Sequence, residues 1–145
     1  MRLEATLKTL ANEGRQMLAA LVGDLSAENS AAGLDLVVLQ DDRMETSAIG
    51  GCCQTVMVGP DRQFLDVWQD CIHKSDAVWP IAPETGGILE RLCQDVEKAG
   101  KTLLTSPSSA VRLAASKLET YKRLEHHGLP AVPTVAWQGR KPRHL

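Results

Sequence analysis

Aromatic side chains are scarce: one Phe, one Tyr and three Trp make up 3% of the 145 residues. A stacking platform for single-stranded nucleic acid needs several such rings along one groove, so that function class is disfavoured at the outset. Charge of either sign is not in surplus, with 16 Lys plus Arg against 18 Asp plus Glu and a net charge of −2. Nothing here would pull the chain onto a polyphosphate backbone or an anionic membrane. No apolar run approaches the roughly 20 residues of a membrane-spanning helix, and Met1 is not followed by the apolar core of a secretory signal, which gives a cytoplasmic expectation. Also missing are a G-x-G-x-x-G turn, which counts against a dinucleotide, a pair of metal-ligating acidic residues and a glycine loop able to cover phosphates.

There is no C-x-x-C pair. Cys52 and Cys53 are adjacent, Cys93 falls on an amphipathic stretch, and Cys71 with His73 is a C-x-H spacing that suits neither a zinc site nor two groups acting on each other from one helix face. Reduced, partly buried thiols are the expectation.

The length suits one domain with one core. Residues 76–95, DAVWPIAPETGGILERLCQD, organise it. Ala77, Val78, Trp79, Ile81 and Ala82 predict a buried parallel strand ending at Pro83. Glu84, Thr85, Gly86 and Gly87 make a short polar turn, and Ile88, Leu89, Leu92 and Val96 follow at helical spacing. Such turns are where open α/β sheets bind ligands, because helix N–H groups point outward there. Most turns of this kind bind nothing; the acidic and hydroxyl side chains of Glu84 and Thr85 are what a plain connection would not need.

Leu7, Leu10, Met17, Leu18, Leu21, Val22 and Leu25 predict a first helix over residues 4–25, interrupted by Gly14, with a start near Asn12 and an arm over 1–11 as the alternative; Ser26–Gly33 reads as a loop. Strands are expected at Leu34–Leu39 and Thr55–Val58, with no period over 43–52, and then a helix through Phe64, Leu65, Val67, Trp68, Cys71 and Ile72. After a helix over 86–98, Ala99 and Gly100 supply a stop and Lys101–Thr105 a fourth strand. Ser106 reads as an N-cap before Pro107, a second helix runs from Ser116 to Gly128, and Pro130 and Pro133 keep the following segment extended. Strand and helix alternation of this kind is α/β with a mainly parallel sheet.

The string DAVWPIAPETGGILERL followed by KTLLTSPSSAVRLAASKLETYKRLEHHGLPAVPTV resembles the amino-terminal, pre-ATP-grasp domain of ATP-grasp carboxylate-amine ligases and the helix that leads into their nucleotide-binding part. Ser106, Ser116, Lys117, Leu124, Gly128, Leu129, Pro130 and Pro133 carry the likeness, which spans about residues 13–136. The APETGG loop is most similar to predicted ATP-grasp carboligases of methanogens and methylotrophs, a branch with a tyramine-glutamate ligase of methanofuran synthesis. The resemblance implies a Rossmann-like, three-layer α/β domain over 1–105, a helical segment and strand over 106–136 and a tail over 137–145, with the family's first strand missing. It implies an acylphosphate reaction using ATP and Mg in the complete ligase, neither bound tightly by this chain. Lys117 would reach ATP phosphates, and Glu84, Thr85, Gly86 and Gly87 would face a small carboxylate or amine substrate.

Two features depart from the family pattern: no strand precedes the first helix, and the chain stops within ten residues of Val135. A fragment or degenerate member, inactive alone, is therefore expected, the polar basic end reflecting a frameshift or early stop. A missing first strand would leave a sheet edge beside Leu36 and Val38, and the expectation is a homo-oligomer, a dimer in the simplest case, that covers it. The alternatives are a stand-alone small-ligand-binding α/β module and a dimerising module without a ligand.

Overall fold

The computed structural model describes residues 2–43 and 53–137. Cys52, the aperiodic stretch before it and the tail beyond Trp137 lie outside the described residues. The chain opens with α1, Arg2–Ala32. This corrects the expectation of an arm or a helix ending at Leu25: Gly14 does not interrupt it, since one mid-helix glycine costs only about 1 kcal/mol. Nor does Ser26–Gly33 form a loop. The helix runs on through Ala31 and Ala32 and stops where Gly33 takes a φ of +61°, a conformation that side chains disfavour.

Strands β1 (Leu36–Asp41) and β2 (Cys53–Val58) pair in parallel, Leu36 opposite Cys53 and Asp41 opposite Val58. Helix α2 (Phe64–Lys74) leads to β3 (Ala77–Val78), which pairs in parallel with β4 (Thr102–Leu103) around α3 (Ile88–Lys98). Among the described residues the strands form two separate two-stranded parallel ladders rather than one continuous sheet. The β3 strand is shorter and wetter than its composition predicts. Pro80 removes a ladder donor and ends pairing at Val78, Ala77 is exposed, and Trp79 remains 48% exposed.

One core serves both ladders. Trp68 and Ile72 of α2 meet Leu92 and Val96 of α3, and Leu39, Val78, Ala82, Ala99 and Leu103 pack around them. Leu39 faces this cluster while its neighbour Val38, on the opposite face of β1, is also buried at 5% exposure. At its middle β1 thus packs on both faces, through Val38 on one and Leu39 on the other, while Val37 stays 43% exposed. The indole N–H of Trp68 donates to Asp95 Oδ2 at 3.3 Å, tying α2 to α3, and the Phe64 and Trp68 rings stack with centroids 6.3 Å apart.

Helix α3 closes as its glycine predicts. Gly100, at φ +67°, donates to the Glu97 carbonyl and Lys101 to the Val96 carbonyl. The start of α4 (Ser108–Ala114) is a correction: Pro107, not Ser106, holds the N-cap position, and its ring offers no capping acceptor. The acceptor comes from α3 instead. Ser108 donates its backbone N–H to Glu97 Oε1 at 2.8 Å and its hydroxyl to Oε2 at 2.7 Å, and these bonds hold the Glu97 carboxyl below its ordinary pKa.

Because that pKa is lowered in the folded state, the contribution is present at neutral pH and is lost as acid protonates the carboxylate. Replacing Glu97 with Ala is expected to speed amide exchange at Ser108–Val111 while leaving the amides of Ile72 and Val96 protected. Unchanged exchange in α4 would show that the cap is unimportant.

Helix α5 (Lys117–His126) starts as its sequence predicts, with Ser116 Oγ accepting from the Glu119 N–H at 3.3 Å, and Gly128 closes it at φ +66°.

Candidate functional site

The turn after β3 has the glycine geometry that two adjacent glycines permit. Thr85–Gly87 is a single 3₁₀ turn in which Gly86 and Gly87 both take φ +68°, and Gly87 is the N-cap residue of α3. Gly87 donates to the Glu84 carbonyl and Leu89 to the Pro83 carbonyl, which fixes how α3 leaves the turn. The predicted helix start at residue 86 is corrected to Ile88 for this reason. Glu84, Thr85 and Gly86 are exposed and Gly87 is half-buried.

A Cβ at Gly86 would meet nothing within 4 Å, so Gly86→Ala isolates the backbone term. It is expected to cost about 1–2 kcal/mol in urea unfolding, for left-handed strain alone. An unchanged midpoint would mean that the turn adapts freely.

Lys117, the other predicted residue, is exposed at the first position of α5. No hydrogen bond or ion pair joins it to the Glu84–Gly87 turn. The structure thus presents both predicted elements at the surface without a hydrogen bond or ion pair between them.

A cleft of about 790 Å³ opens elsewhere, where the carboxyl ends of β1 and β2 meet the start of α2. Leu39, Val58, Pro60 and Phe64 give it apolar walls, and Asp41, Asp42, Arg43 and Arg62 stand around it. Three of these charges are paired locally. Arg43 Nε donates to Asp41 Oδ1 at 2.8 Å and to Oδ2 at 3.1 Å, and its backbone N–H adds a third bond at 2.9 Å, which holds the Asp41 carboxyl down to about 2. Arg62 Nη2 pairs with Asp70 Oδ2 of α2 at 2.6 Å. These pairs are solvent-exposed, so they shape the rim more than they stabilise the fold.

Asp42 is different. Its N–H extends the ladder by donating to the Val58 carbonyl at 3.0 Å, and its carboxylate lies over Gly59, where a Cβ would come within 2.6 Å of Oδ2. Only a glycine at position 59 lets the Asp42 carboxylate keep that place. At the first turn of α2, Gln63 is extended and its side chain makes no cap.

In sequence, Gln40, Asp41 and Asp42 read as a strand stop and Gly59, Pro60 and Asp61 as a turn, which conceals this cleft. The available signal was topological: two parallel strands in succession end side by side, and ligands of α/β folds collect at such ends.

Cys71 and Cys93 are free thiols, and burial pushes both above their ordinary values, away from the reactive thiolate. Among the described residues no cluster of three or more His, Cys, Asp or Glu is placed to hold a metal ion, and no helix is long and apolar enough to cross a membrane.

No curated protein and no solved structure matches this chain. A family model does: the pre ATP-grasp 3 domain, over residues 34–111, a span running from the start of β1 into α4 and including both the cleft and the glycine turn. By that match, over more than half of its length and on a mixed α/β fold with parallel strands, the chain belongs to the pre ATP-grasp 3 domain family of ATP-grasp enzymes.

Proposed function

We propose that this chain is the amino-terminal, substrate-binding portion of an ATP-dependent carboxylate-amine ligase. The family match over residues 34–111 carries the reading. In the complete ligase a carboxylate attacks the γ-phosphate of ATP and releases ADP, and an amine then displaces phosphate from the acylphosphate to give the amide. Positioning and charge neutralisation supply most of the acceleration in such a step. ATP and Mg belong to the complete enzyme, and this chain by itself binds neither tightly.

Lys117 suits an ATP-phosphate contact because it is exposed, forms no ion pair among the described residues and begins a helix. The exposed Glu84–Gly87 turn suits an approach by substrate, its left-handed glycines leaving the backbone uncovered by side chains. A homo-oligomer through β1 belongs to the same reading, since among the described residues β1 has a strand on one edge only. Assignment to the tyramine-glutamate branch is the finest form of the proposal.

The test begins with the DNA on both sides of the coding region, read in all frames for an ATP-grasp core. Co-expression of that core with this chain is expected to give ATP-dependent phosphate release in the presence of L-glutamate and tyramine. Lys117→Ala should lower the release about tenfold, as loss of a positioned charge at a phosphoryl group does. Finding no such core, or release indifferent to the presence of this chain, overturns the ligase reading and favours a free-standing binding module, which the cleft in this chain would equally serve.

A further inference from the structure

The charges around the cleft do not cancel evenly. Asp41 is matched by Arg43 and Arg62 by Asp70, which leaves the Asp42 carboxylate as the acidic lining group with no hydrogen bond or ion pair among the described residues. The Arg43 guanidinium reaches it only as a through-space field. Two arginines at a cleft suggest an anion site at first sight, but each already has its carboxylate, and a bound anion would have to compete for it.

We propose that the cleft at the ends of β1 and β2 binds a primary amine as its ammonium form, with Asp42 as the carboxylate that receives it. The ammonium brings three N–H donors and no acceptor to a carboxylate that has no partner among the described residues. Leu39, Val58, Pro60 and Phe64 cover the ligand's apolar body, and Phe64 is 44% exposed. Gly59 sets the geometry: without a Cβ it lets the carboxylate lie across the β2–α2 turn. That this amine is the acceptor in a ligase reaction rests on the function proposed above; that the cleft binds it does not.

The test uses the full chain and three probes on one skeleton: benzylamine, benzyl alcohol and benzoate. Amide chemical shifts are followed through each titration. Benzylamine should shift Asp42, Gly59 and Phe64 saturably and bind about fivefold more tightly than the other two, the scale of one exposed charge pair. Asp42→Asn should erase that preference while leaving the weak binding of benzyl alcohol. Gly59→Ala should reduce it in the same direction by displacing the carboxylate. Tighter binding of benzoate would make the cleft an anion site, equal binding of all three an apolar groove, and no saturable shift with any probe no site; each overturns the proposal. Amine binding without phosphate release by the co-expressed pair would sink the ligase reading alone.

Discussion

Replacing Ile72 with alanine is expected to remove about 2–5 kcal/mol of unfolding free energy, a large share of a domain total on the order of 5–15 kcal/mol. Ile72 is fully buried between α2 and α3, with Trp68, Leu92 and Val96 in the same cluster. Truncation deletes the transfer free energy of three carbons and leaves a cavity that the neighbouring side chains can only partly fill. Ile72→Val, one methylene smaller, should cost about 0.5–1.5 kcal/mol at the same site. Urea unfolding followed by circular dichroism measures both, and the dependence on urea should keep its slope. A loss below about 1 kcal/mol for Ile72→Ala would mean that the cluster is not the centre of the fold.

Trp68→Ala should cost about 3–5 kcal/mol, because it removes the largest ring of the same cluster. Trp68 is 6% exposed, stacks on Phe64 and donates to Asp95, so one side chain joins two helices by packing and by a hydrogen bond. Trp68→Phe separates the two contributions. It keeps most of the ring and loses the indole donor, at a cost of about 1 kcal/mol for the hydrogen bond plus a small packing loss.

Fluorescence adds an independent check. Trp79 and Trp137 are 48% and 67% exposed, so the blue-shifted part of the emission belongs to Trp68 and should vanish in both variants. Emission that stays blue-shifted in Trp68→Phe would place a different tryptophan in the core.

Much of the architecture was legible along the chain because its signals are local. The 3.6-residue spacing of Phe64, Val67, Trp68 and Ile72 marked α2, and Leu89, Leu92 and Val96 marked α3. Gly100 and Gly128 marked helix ends because only a glycine enters the left-handed region without strain. Ser116 marked the start of α5 because its hydroxyl can accept from Glu119 three residues on. The Glu84–Gly87 turn was equally readable, since Gly86 and Gly87 advertise positive φ angles wherever they lie.

What local signals could not reach was decided by contacts between distant residues. The N-terminus of α4 takes its acceptor from Glu97, eleven residues earlier on another helix, and no capping rule applied to Ser106 and Pro107 reveals that. Val38 is buried while its neighbour Val37 stays exposed, a difference between two like residues that composition alone leaves open.

The cleft is the clearest case. Asp42 and Gly59 are seventeen positions apart, and each reads as turn chemistry in its own neighbourhood. Parallel pairing of β1 with β2 sets them against each other and leaves the Asp42 carboxylate without a partner among the described residues. The sequence by itself determined where helices begin to turn, where glycines stop them and which family the chain resembles, since those are short-range steric and hydrogen-bonding choices. Tertiary structure alone decided which charges neutralise one another and which remains available, because electrostatic pairing depends on distance in space rather than along the chain.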